Sequence, residues 1–428
     1  MSTFPKIKLS EVAKVISGFA FKSSEFGNEG VPVLKIANIR MGDVDTLSCQ
    51  RVSEENLGKL PDKYLVQRGD ILISLTGSHV TQPTSVVGRV ARMGASNTTF
   101  LLNQRAGKVI VQDHVRIDPS FLYFSLMDNA AKGEIASMAS GAASQANVSP
   151  TQVGSLEILA PPLPIQQRIA SILSAYDDLI ENNTRRIAIL EEMARRIFEE
   201  WFDDDRISTQ AEAGLASKAV RLGHFMKFDK GLSYKGKFLR EDGSSMVNLK
   251  NFDRSGGFRR DGLKFYAGDY KERHAVDPGD IVVANTDLTQ AGDIVGSPAI
   301  VPRKMPTESA LISHHLFAVR LNEELKKAKF FVFHLLASPV FKSYAKGHAV
   351  GTTVLGLHRD SIESFQVTLP SPQRMRDFSR TVAPMHELVE VLAEKISNLR
   401  SQRDLLLPKL VSGEIDVSDA ETALEAAK

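Results

Sequence analysis

The 428-residue sequence contains a single cysteine, Cys49, which excludes a disulfide framework and a thiolate metal cluster. It lacks any run of about 20 apolar residues, so no membrane-spanning helix is expected. Met1 to Ser10 shows no basic segment followed by an apolar one, so no export signal is expected and the chain reads as cytoplasmic. Net charge is scarce as well: 53 Lys and Arg against 51 Asp and Glu leave a formal +2. That total argues neither for nor against nucleic acid, because a near-neutral sum can hide a basic face. With 43% hydrophobic and 24% charged residues, the chain has the composition of a folded protein, long enough for two or three domains.

Catalytic signatures are missing too. The Asn/Asp-Pro-Pro-aromatic loop of an adenine methyltransferase has only Ala160-Pro161-Pro162-Leu163 as an approximation, and that stretch reads better as a helix start. No Gly-x-x-x-x-Gly-Lys-Ser/Thr loop is present to cradle phosphates. Asp203-Asp204-Asp205 reads as a solvated charge run. His314-His315 lacks the spaced partner or cysteine of a zinc site, and Gly256-Gly257 follows no strand and reads as a turn. No nucleophile with a partnered base stands out. The expectation is a non-enzymatic chain with no catalytic residue, no metal and no cofactor of its own.

The chain does contain two diverged copies of one unit. Ile7 to Gly18 aligns with Val220 to Gly231 at an offset of 213, and the same offset pairs Leu34 with Val247 and Asn38 with Asn251. Arg68-Gly69-Asp70-Ile71-Leu72-Ile73 aligns with Pro278-Gly279-Asp280-Ile281-Val282-Val283 at 210, and Phe121 to Phe124 with Phe330 to Phe333 at 209. Each copy begins with about 150 residues of short apolar runs among polar turns. Asp70–Leu75 and Asp280–Ala284 read as strands entered through a Gly-Asp turn; Pro119–Asp128 and Lys326–Ala337 read as helices. A proline-rich stop follows, Ala160 to Pro164 in one copy and Leu369 to Pro372 in the other, ending a strand and pre-setting a helix.

Beyond the prolines each copy carries a long helix with a heptad seam. The first seam is Ile169, Leu173, Tyr176, Ile180, Asn183, Ile187, Leu190, Ala194, Ile197 and Trp201. The second is Phe378, Val382, Met385, Val389, Leu392, Ile396, Leu399, Arg403, Leu406 and Leu410, each 209 residues after its counterpart. Unbroken alternation of fours and threes is a coiled-coil pattern, and Ile169 to Trp201 would span about 50 Å at about 1.5 Å per residue. A plain buried face within each domain is the competing reading, but the charged flanks Glu191, Glu192, Arg195, Arg196, Glu199 and Glu200 favour a pair standing clear of other packing. Asn183 either fixes the register of such a pair or is solvated where the pair splays. Pro384 is expected to kink or restart the second helix.

The run Ala160 to Gln167, continuing through Leu173-Ser174-Ala175-Tyr176-Asp177-Asp178 to Phe198-Glu199-Glu200-Trp201-Phe202, closely resembles the central conserved helix of type I restriction-modification specificity subunits. Leu405 to Ile415 is similar to that family's C-terminal conserved segment, and Arg68–Ser74 and Gly141–Asn147 look like features of its target-recognition domains. Copy two departs from the pattern at Pro372-Gln373-Arg374-Met375 and Pro384.

The resemblance implies an α+β fold: two target-recognition domains of mixed short strands and helices, separated by two long helices packed as an antiparallel coiled coil. It implies domains at 1–160 and 220–369, helices at 161–203 and 370–412, a linker at 204–219 and a tail at 413–428. It also implies a bipartite, asymmetric target in double-stranded DNA, with helix length setting the unread gap. The partners would be two methyltransferase subunits and translocating nuclease subunits, which would own the S-adenosylmethionine, ATP and Mg; no membrane is involved.

Base-edge readers are usually polar residues on loops. Copy one offers Ser74, Thr76, Ser78, His79 and Gln82, then Asn103 and Arg105, then Ser144, Gln145 and Asn147. Copy two offers Asn285, Thr286 and Gln290, then His314 and His315, then Thr352 and Thr353, with Arg254, Arg259 and Arg260 beside Lys264 as phosphate contacts. Two other classes stay open at this level: a protein scaffold without sequence readout, and a diverged DNA methyltransferase.

Overall fold

The computed structural model describes residues 4–78, 86–142, 145–202, 219–252, 257–260, 262–289, 292–308, 310–352 and 354–417. The chain divides into two compact units, residues 1–183 with 395–428 and residues 184–394.

In the first unit the Gly69-Asp70 turn is closed by the Asp70 carboxylate, which accepts from the Gln67 amide at 2.8 Å. It feeds the strand Ile71–Ser74, buried at every residue because it lies inside its sheet. That antiparallel sheet runs in the order Val90–Arg92, Ile71–Ser74, Ala106–Val111, Ala13–Ser17. A second sheet orders Gln50–Val52, Val31–Leu34, Phe100–Leu102 and Leu65–Val66, with one parallel pair, Leu101 beside Val33. The helix Pro119–Met127 starts where Asp118 caps the amides of Ser120 and Phe121 at 2.9 Å, with proline at the first position. Phe121 to Met127 are all buried, so this helix is apolar all round and fills the core.

The second unit repeats the plan. Its sheets are Met226–Lys230, Leu316–Leu321, Ile281–Ala284, Pro298–Ile300 and Lys264–Tyr266, Leu239–Val247, Ala310–Ile312, Ala275–Val276, again with one parallel pair, Val247 beside Ile312. The helix Lys329–Ala337 takes the place of Pro119–Met127. Gly18 and Gly231, 213 residues apart, make the same close approach: a Cβ on either would collide with backbone carbonyls, those of Leu102 and Asn103 or of Ile312 and Ser313. Only glycine fits there.

The two long helices are Leu163–Trp201 and Pro372–Val411. In the first unit the start of one lies along the end of the other: Ile169, Ala170 and Leu173 share a core with Leu407 and Leu410. In the second unit the opposite ends meet, with Ala194, Phe198 and Trp201 against Phe378, Val382 and Met385. The pairing is antiparallel. Every seam position of both helices is buried or half-buried. Asn183 is 8% exposed and is therefore not splayed into solvent.

Two expectations need correction. Pro384 does not restart the second helix, which runs unbroken from Pro372 to Val411; the ring is exposed, where a missing backbone hydrogen bond is tolerated. The helix pair also does not stand clear of other packing along its length. Its ends are built into the α+β cores, Leu173 with Leu9 and Tyr123, and Phe198 with Phe331. Only the middle seam positions, such as Ile180, Ile187, Leu392 and Ile396, lie outside those cores.

Candidate DNA-reading face

In the first unit the three polar stretches named from the sequence meet on one segment of backbone. Ser74 pairs with Ala106, the Leu75 amide donates to the Arg105 carbonyl at 3.0 Å, and the Val148 amide donates to the Leu75 carbonyl at 2.9 Å. Thr76 and Gly77 form an edge with the hairpin Ser140–Ala142 and Gln145–Asn147. The buried Thr76 hydroxyl donates to Asn147 Oδ1 at 2.7 Å. Ser74 is fully buried, and its hydroxyl finds no hydrogen-bond partner among the described residues. Asn103 is buried and accepts from the Arg105 amide at 3.4 Å, closing the turn, whereas Gln104, Arg105, Gln145 and Asn147 are exposed. Ser78 is half-buried. His79, Gln82 and Ser144 lie outside the described residues.

Composition did not single out the groove beside this turn. Phe21, Phe26, Lys35 and Ile36 line it with Asn103, Gln104 and Arg105. The Lys35 ammonium sits 3.4 Å over the Phe26 ring and donates to the Gln50 side chain; burial lowers its pKa.

The second unit assembles its stretches on the same hydrogen bonds. The Asn285 amide donates to the His315 carbonyl at 2.9 Å, and the Leu357 amide to the Asn285 carbonyl at 2.7 Å. Thr286 and Asp287 pair with Leu355 and Gly356. Asn285 is buried and its side chain donates to the His314 carbonyl at 3.1 Å. Thr286 Oγ1 lies 2.8 Å from His315 Nδ1, and the His314 and His315 rings are 3.9 Å apart. Burial lowers the pKa of both rings, His315 to about 4, with His314 beside it as the next cause. Lys264 donates to the Tyr234 hydroxyl at 2.6 Å, and Tyr234 meets His314 edge-on at 6.1 Å.

Thr352 is exposed on the hairpin before Leu355, while Gln290, Thr353 and Arg254 lie outside the described residues. Arg259 and Arg260 are tied to other segments of the unit. The Arg259 amide donates to the Asn251 carbonyl at 2.8 Å, and Arg260 donates to the Lys304 carbonyl at 2.8 Å. The hairpins correspond down to one backbone angle: Gly141 has φ +140 and Gly351 has φ +136. L side chains rarely adopt that region.

The two faces thus share a backbone and differ in side chains. A profile described as "Type I restriction modification DNA specificity domain" matches residues 1–192. The putative type I restriction enzyme MjaX specificity subunit of Methanocaldococcus jannaschii is 23% identical over 423 residues, covering 96% of this chain and 93% of that protein. Over residues 1–192 the chain carries this specificity domain, and over nearly its whole length it is similar to type I restriction-modification specificity subunits. Another such subunit, the HindI protein of Haemophilus influenzae, is 23% identical across 97% of this chain and 100% of its own length. The crystal structure of the S subunit from M. genitalium matches the fold with a TM-score of 0.51 at 18% identity, covering 96% of each chain. Specificity subunits of this family direct methylation and restriction through their partner subunits. Among the described residues no helix is long and apolar enough to cross a membrane.

Proposed function

We propose that this specificity subunit reads a bipartite, asymmetric site in double-stranded DNA, one half with each of its two faces. Residues 1–160 and 220–369 act as the two target-recognition domains, and 161–203 and 370–412 as the helices that join them. The chain carries no chemistry of its own. Two methyltransferase subunits supply adenine methylation with S-adenosylmethionine, and translocating nuclease subunits supply restriction with ATP and Mg.

The observation that supports this reading is the convergence of residues 74–77, 103–106 and 145–147 in one unit and of 284–287, 313–316 and 355–356 in the other, on matching backbone hydrogen bonds. A shared frame presents loops to the same kind of surface, and side chains that differ at equivalent points select different bases. Replacing residues 1–160 by the recognition domain of another specificity subunit, in the complete methyltransferase complex, tests it. One half of the methylated motif should change while the other half stays. A motif unchanged, or altered in both halves, would sink the reading.

A further inference from the structure

The two matching turns place different chemistry at one point of the shared frame. Arg105 and His315 both follow the same backbone course: each carbonyl accepts the amide at the head of the adjoining strand segment, from Leu75 in one unit and from Asn285 in the other. Arg105 is exposed, and its guanidinium makes no hydrogen bond or ion pair with the described residues. The nearby hydroxyl of Thr76 is occupied by Asn147 and does not restrain it. The equivalent hydroxyl in the second unit, that of Thr286, turns instead to His315 Nδ1 at 2.8 Å, and the His314 ring lies tilted beside it with centroids 3.9 Å apart. One turn therefore presents an exposed cation and the other a braced imidazole.

We propose that Arg105 and His315 are specificity-determining residues of the two half-sites: Arg105 for a guanine, and His315 for a single hydrogen-bond acceptor on a base edge. This rests on the reading given under Proposed function. A guanidinium offers parallel donors, and guanine presents two neighbouring major-groove acceptors, O6 and N7, that match them. His315 has one free ring nitrogen. In the tautomer whose Nδ1 accepts the Thr286 hydroxyl proton, the ring hydrogen sits on Nε2, which then serves one acceptor such as a purine N7 or a thymine O4. Depression of the His315 pKa by burial keeps that ring neutral at ordinary pH. Thr286 is a positioning residue, acting through the ring.

The test uses the complete methyltransferase complex on a library of randomised duplexes, with methylated adenines mapped by sequencing. Arg105→Ala should relax preference at one guanine of one half-site by roughly ten- to hundred-fold, leaving the other half unchanged. His315→Phe, which keeps a ring and loses the donor, should relax one position of the other half-site. Thr286→Val should relax that same position and Thr286→Ser should restore it, an outcome that a merely structural hydroxyl would not produce. Uniformly weaker methylation with an unchanged motif would mark these residues as phosphate contacts and overturn the proposal alone. If the unaltered complex showed no sequence preference, the proposed function would fall with it.

Discussion

Arg403 of the second long helix donates to Asp177 of the first at 2.7 Å, with the two side chains only 8% and 16% exposed. Arg403 occupies a seam position whose counterpart in the first helix is Ala194, and Asp177 corresponds to His386. The ion pair therefore has no twin in the second unit. Burial works against both charges and raises the Asp177 carboxyl above its usual range, while the hydrogen bond from Arg403 pulls the other way. Arg92, seated over the Tyr123 ring, adds a second cation 3.5 Å from Asp177.

Removing one member of this pair should cost more than removing both. Arg403→Leu leaves a buried carboxylate with Arg92 alone and is expected to destabilise the chain by about 3 kcal/mol. Asp177→Leu with Arg403→Leu should recover most of that loss, since a well-packed apolar pair is often no worse than a buried salt bridge. Urea unfolding of the two single variants and the double variant measures it; additive losses would show that the pair is not coupled.

In the second unit the counterpart of Asp177 is His386, which meets a second histidine. His334 and His386 face each other with Nε2 atoms 3.0 Å apart, and Phe330 stacks on His386 at 4.5 Å. Burial lowers their pKa values from 6.5 to about 3 and about 4, with Lys329 adding to the effect on His386. The folded pair stays neutral while the unfolded chain takes up protons below about pH 6.5. Stability from this source is thus complete above that pH, declines as pH falls toward 4, and levels off once the folded rings are protonated. Each ring contributes a slope of up to about 1.4 kcal/mol per pH unit in that window. Unfolding free energies between pH 7 and 4 should show a shallower slope in a His334→Leu, His386→Leu variant than in the parent.

Gln166 should be intolerant of the residue that its own repeat uses. Its fully buried amide accepts from the Asp118 amide at 2.8 Å and donates to the carbonyls of Arg116 and Pro161 at 2.9 and 2.8 Å. The equivalent position in the second helix is Met375, buried in an apolar core. Gln166→Met strands three backbone groups and is expected to cost about 2–3 kcal/mol. Chemical denaturation reads the loss; a neutral result would mean that these groups find other partners.

Alanine at Gly141 or Gly351 should loosen one hairpin without touching its twin. A Cβ there would press on the carbonyl of Gln145 or of Val354 in a backbone conformation suited to glycine, at a cost of about 1–3 kcal/mol. Amide hydrogen exchange should rise in 145–147 for Gly141→Ala and in 355–356 for Gly351→Ala. Unchanged exchange in both would contradict the hairpin geometry.

Periodic features were legible in the sequence because they repeat. The near-constant offset, the strands after Gly69-Asp70 and Gly279-Asp280, the proline stops and the seams all follow from spacing. Non-periodic features were not. Nothing in the order of residues tells that His334 and His386, far apart in the chain, face each other in a ring of phenylalanines. Nor does it tell that Gln166 satisfies three backbone groups. Pro384 misleads because its effect depends on whether the freed carbonyl faces water. Loop composition places Thr76, Asn103 and Asn147 together, and with them Arg260, whose Nη1 donates to the Lys304 carbonyl. Composition cannot tell a polar tip that faces outward from one that ties down its own loop.

The only indole in the chain, Trp201, sits 6.0 Å from the Phe378 ring, and Arg374 donates to its carbonyl at 2.7 Å. The intrinsic fluorescence of the protein is therefore a private signal of one unit. A red shift in its emission would announce that the last turn of the first helix had left Phe378, while the other unit could come apart in the dark.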